Sequence, residues 1–211
     1  MTIIFPRDDI MPAVSWIDQV FVLHERQEFS RQASGVTRGK SFGSALWMTA
    51  LTTQPLSDEE AVDFEAMLHS LDGVVNGFFA GDLRRPFPIV HSDGVFDDSA
   101  AVVHTVGVDN KSLRIEGLPV GFVISRGDYF SVTPSGGSPA LYQAMETVTV
   151  DGAGISPIFE CRPHLHVGTA EGYVVSFKEP VTVFLLEPGS IDPQLVDAGY
   201  WRVSLRAVQS I

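Results

Sequence analysis

The chain has 211 residues, 45% of them hydrophobic and 19% charged, a balance that fits a folded protein with a sizeable core and excludes a disordered one. Its formal net charge of −12 and pI near 4.7 argue against a tight nucleic-acid binder, which needs clustered Lys and Arg to neutralise phosphates. A single cysteine, Cys161, excludes an internal disulfide, and no apolar stretch approaches the roughly 20 residues of a membrane-spanning helix, so no membrane association is expected.

The N-terminus, MTIIFPRDDIMP, has neither the basic start nor the long apolar run of a secretory signal, which predicts synthesis and use in a cytoplasm. From there, VSWIDQVFVLHER at 14–26 alternates Val20 and Val22 with Phe21 and Leu23 and predicts a strand with both faces partly covered. After the polar stretch EFSRQASGVTRGK, a second strand is expected within 41–54, where Leu46, Met48 and Ala50 alternate with Trp47, Thr49 and Leu51.

A helix over about 57–72 is the best-marked element. Ser57 stands at the N-cap and Glu60, three positions on, can reach back to its amide in a capping box, with Asp58 and Glu59 against the positive end of the dipole. Ala61, Phe64, Leu68 and Leu71 form one apolar stripe, and Gly73 supplies a left-handed stop. One apolar face implies a helix lying on a sheet.

VVNGFFAGD at 74–82 reads as a strand, and the two prolines of LRRPFPIVHSDG block a central one. From about Phe96 to Pro180 the chain becomes a series of short strands and turn signals, the pattern of a small barrel or sandwich, in which Phe122, Tyr129 and Phe130 are expected to fill the interior. Longer strands return in VTVFLLEP and DAGYWRVSLRAVQS, where Trp201, Val203, Leu205 and Ala207 share one face and Arg202, Ser204 and Arg206 the other. The predicted fold is mainly β: a β-sandwich or open barrel with one covering helix, built from residues 1–95 and 181–211, and a small β-barrel inserted at 96–180. Two consecutive domains meeting near Gly94 are the alternative.

Chemistry is thinly marked. In CRPHLHVGTAE, His164 and His166 two apart on a strand would share a side, and with Glu171 they give the spacing of a first cupin metal motif; no histidine follows to complete that set, so the expectation is no metal and no cofactor. Arg126-Gly127-Asp128 reads as a turn between strands. No nucleophile elbow or phosphate-binding glycine loop is present, and Asp97–Asp98 and Asp58–Glu60 suit solvated or capping charges, so no catalytic residue is expected. A carbohydrate-binding module using Tyr129, Phe130, Tyr142 or Tyr173 is a further alternative.

Taken in order, FPRDDIMP, ALWMTALTTQPLSDEEAVDFEAMLHSLDGVVNGFFAGD, GLPVGFVISRGDYFSV and the terminal WRVSLRAVQ resemble tail proteins of siphophages and related prophages, in particular distal tail proteins. That resemblance implies a non-enzymatic structural protein of the virion, assembled in the host cytoplasm and placed at the tail tip or baseplate. It implies a homo-hexameric ring joining the tail tube protein to hub or baseplate proteins, with DNA passing through the channel without specific binding. It further implies a helix-bearing β-sandwich and, in some members, an inserted OB-like domain.

Overall fold

The computed structural model describes residues 3–210. The chain begins with a four-residue helix α1 (Ile10–Ala13), then β1 (Trp16–His24), a hairpin of β2 (Gln27–Arg31) and β3 (Thr37–Ser41), β4 (Leu46–Thr53) and the two-residue β5 (Leu56–Ser57). Helix α2 (Asp58–His69) follows, then β6 (Phe78–Ala80). A second series contains β7 (Val102–Val106), β8 (Ser112–Glu116), β9 (Val123–Ile124), β10 (Tyr129–Thr133), β11 (Ala140–Ala144), β12 (Val148–Thr149), β13 (Phe159–Arg162) and β14 (Val174–Ser176). Three strands close the chain: β15 (Thr182–Leu186), β16 (Asp192–Asp197) and β17 (Tyr200–Gln209). The fold is mainly β, with a sheet covered by a helix and a separate small barrel.

The sheet runs β1-β4-β17-β15-β6, with β5 and β16 added along the other half of β17. Strict alternation on β4 and β17 puts Trp47, Leu51, Val203, Leu205 and Ala207 inward, where they meet Phe21, Phe78 and Phe184. The sheet curls so far that its two edges meet. There the Gln19 side chain donates from Nε2 to the Gly81 carbonyl at 2.8 Å and accepts from the Leu83 amide through Oε1 at 2.8 Å. One amide side chain thus stands in for a missing rung between β1 and the segment after β6.

A curled sheet leaves its ends open, and α2 covers one of them. Its start is held by the capping box: Ser57 N donates to Glu60 Oε2 at 2.8 Å and Glu60 N donates to Ser57 Oγ at 3.4 Å. Ala61, Phe64, Leu68 and Leu71 are all buried in the core of the sheet, each large side chain contributing roughly 1.5–3 kcal/mol. The helix stops at His69, and both Asp72 (φ 51°) and Gly73 (φ 68°) adopt the left-handed conformation, so the reversal is shared by two residues.

The second series forms a closed barrel, β10-β11-β13-β8-β7-β14. It has six strands, one more than the five of an OB fold. Phe122, Phe130, Tyr142, Phe159 and Phe177 fill it. Tyr129 does not: as the neighbour of Phe130 on one strand it points the opposite way, into the core of the curled sheet. Its ring lies 5.4 Å from Trp47 and 6.0 Å from Phe21, both edge-on, and Trp47 Nε1 donates to the Leu141 carbonyl at 2.9 Å. The barrel therefore seals the end of the sheet that α2 leaves open.

One further sequence expectation changes, and three strands stand where the sequence made no prediction. β1 is well covered on one face only: Phe21 is buried while Val20 and Val22 are about half exposed. The polar stretch after β1 forms the β2–β3 hairpin, and 192–197 forms β16 despite Pro193, which an outer strand tolerates. Truncating Phe64 to Ala is expected to lower unfolding stability by about 3–5 kcal/mol, and Ser57→Ala by about 1 kcal/mol, read from urea midpoints.

Candidate assembly surface

The pairing register decides which residues share a face of the sheet. Val22 stands opposite Met48, Met48 opposite Val208, and Val208 opposite Leu185, so these four side chains form one row across four strands on the outer face. Val20 and Ala50 lie beside that row. All are half-buried or exposed, whereas the residues between them in sequence are core. Val20 and Val22 are about half exposed, whereas Met48, Ala50, Val208 and Leu185 keep only a minor part of their surface in water.

Two further surfaces flank it. The β2–β3 hairpin pairs only with itself, and every residue of both strands is exposed. At the other end of β4, the outer side of α2 presents Glu59, Val62, Asp63 and Ala66. Glu60, hydrogen-bonded by the Ser57 amide and hydroxyl, is held below the usual carboxylate range, which keeps the helix start negative.

The neck between the two bodies is tied by carboxylates. Asp98 Oδ2 accepts from the Phe177 amide at 2.8 Å, joining the chain where it enters the barrel to where it leaves. Asp128, from the Arg126-Gly127-Asp128 turn, is buried and accepts from the Ile89 amide at 2.9 Å and the Ser125 amide at 2.7 Å. Burial pushes its carboxyl up despite those two bonds. The side chain is a structural tie between the barrel and the segment that leads into it.

The metal alternative is not assembled. β13 ends at Arg162, so His164 and His166 lie in a loop and lose the strand periodicity that would have placed them side by side. His164 and Glu171 are exposed, and His166 packs edge-on against Tyr142 at 5.8 Å, its pKa lowered by burial. Among the described residues no three His, Cys, Asp or Glu side chains converge where they could hold a metal ion.

Of the aromatics weighed for sugar binding, Tyr129, Phe130 and Tyr142 are core residues. Only Tyr173 is half-buried, at a cavity of about 300 Å³ that it lines with Tyr142, His166 and Thr169. The hairpin leaves no burial pattern in the sequence because both of its faces are exposed, and the cluster of Arg26, Arg31, Arg38 and Lys40 is the signal that marks it. The chain matches no family model and no curated protein.

Cys161 is fully buried in the barrel and burial pushes its thiol up to about 12, while Tyr142 is likewise pushed up to about 12. Native protein is expected to leave Ellman's reagent unreacted and to release one thiol per chain in denaturant. Both folded values lie above their unfolded ones, so their stabilising effect is full below the ordinary thiol range and is lost as pH rises toward about 12. A Cys161→Ala variant should show a shallower alkaline fall in urea midpoint than the wild type.

Proposed function

We propose that the protein is a structural component of a phage tail tip or baseplate that assembles with copies of itself into a ring, six subunits by the resemblance of its sequence to distal tail proteins. In this reading it is not an enzyme: it joins the tail tube to hub or baseplate proteins, and its work is done by surfaces. The observation that carries the reading is the apolar row Val22–Met48–Val208–Leu185 on the outer face of the sheet, with Val20 and Val22 about half exposed at its end. Val20 and Val22 keep about half of their surface in water, and burying that remainder between subunits stabilises a ring by roughly 1 kcal/mol per side chain.

The charge supports the second half of the reading. A strongly acidic ring repels the DNA that crosses its channel, so the nucleic acid passes without being retained. The curled sheet supplies the ring body, and the barrel, set at the end of the sheet opposite α2, projects from it.

Native mass spectrometry tests the reading. The wild-type chain is expected as a closed oligomer, and Val22→Asp together with Met48→Glu should yield a folded monomer with unchanged circular dichroism. A wild-type chain that stays monomeric at high concentration and in the presence of tail tube protein overturns it.

A further inference from the structure

Charge is divided along this chain by structural element. Residues 25–42, the β2–β3 arm, carry Arg26, Arg31, Arg38 and Lys40 against Glu25 and Glu28. Residues 43–83, which hold α2, carry seven carboxylates and no Lys or Arg. Among the described residues none of the arm's four cations forms an ion pair: the salt bridges involve Arg7, Arg84, Arg85, His104, Lys111, Arg162 and Arg206 instead.

The arm is also unfinished as a folded element. A lone two-stranded hairpin is marginally stable in water. On one of its faces Phe29, 75% exposed, stands opposite Gly39, and Arg31 stands opposite Thr37. Gly39 leaves one side of the phenyl ring open where another residue would cover it.

The complementary face lies on α2. Ala61, Phe64 and Leu68 point into the core, so the outer side shows Val62, 69% exposed, between Glu59 and Asp63. β1 leads to the arm and β4 returns from it to α2, which sets the two surfaces at opposite ends of the sheet, roughly 25 Å apart along β4. Among the described residues the arm pairs with itself and forms no hydrogen bond with the helix of its own chain. It can reach that of a neighbour, and a contact between opposite ends is heterologous, the kind that propagates around a ring.

We propose that the β2–β3 arm of one copy lies across the outer face of α2 of the next, with Phe29 on Val62 and Arg31 beside Glu59 and Asp63. The inference rests on the self-assembly reading and names its contact. The apolar outer row of the sheet supplies area, and the arm supplies direction, because a basic arm matches an acidic helix and repels another arm.

The test uses the full chain in native mass spectrometry and light scattering. Arg31→Glu in the arm, and Glu59→Lys with Asp63→Lys on the helix, are each expected to weaken association at least tenfold while leaving the thermal unfolding curve unchanged. Combining the two sets should restore the oligomer, and Phe29→Ser should weaken it without any change of charge. An arm variant that keeps the wild-type ring overturns the arm–helix contact and leaves the ring reading standing. A monomeric wild type overturns both.

Discussion

A sheet curled nearly into a tube has two open ends, and this protein exists as a folded body because both are sealed from the inside. At one end α2 lays Phe64, Leu68 and Leu71 into the opening. At the other, the small barrel reaches in with Tyr129 and Leu141, against Phe21 and Trp47. The two seals differ in kind. The helix is local, formed from the residues that directly follow β4 and β5, whereas the barrel brings in residues far along the chain, so the sheet's core is complete only when the second body is in place.

Sealing the ends leaves the outer wall to be explained. The inner face of the sheet consumes the aromatic residues, yet the outer face is not made polar, as the row through Val22, Met48, Val208 and Leu185 shows. A two-layer architecture has no third layer to set against that row. In the proposed ring, strong net acidity keeps chains apart at long range and the partly exposed apolar row favours one close approach in a fixed orientation.

Much of this was legible where the cause is local. The capping box at Ser57 and Glu60, the Ala61–Phe64–Leu68–Leu71 stripe and the alternation along β17 are short-range patterns, and each stands in the structure where its spacing places it. What escaped has a common origin in facing. Tyr129 and Phe130 are equally suited to a core, and only the parity of β10 assigns them to different cores. Val20 and Val22 suggest a covered face, since sequence alternation records hydrophobicity and not what lies opposite. The hairpin was missed because a doubly exposed strand has no buried period to detect. His164 and His166 needed a strand to continue past Arg162, and Pro163 begins the loop instead.

The Gln19 bridge has a mechanical consequence. Along the outer edge of β6 the backbone also makes two hydrogen bonds with Arg7, but among the described residues the seam to β1 is held by one primary amide with two hydrogen bonds, whereas the neighbouring joints of the wall are ladders of peptide bonds. A ladder resists shear over its whole length, while a single rotatable side chain yields after one rotamer change. The wall is accordingly stiff around most of its circumference and compliant along one line, so a tube pressed from within would widen there first and could recover its girth without unpairing a strand.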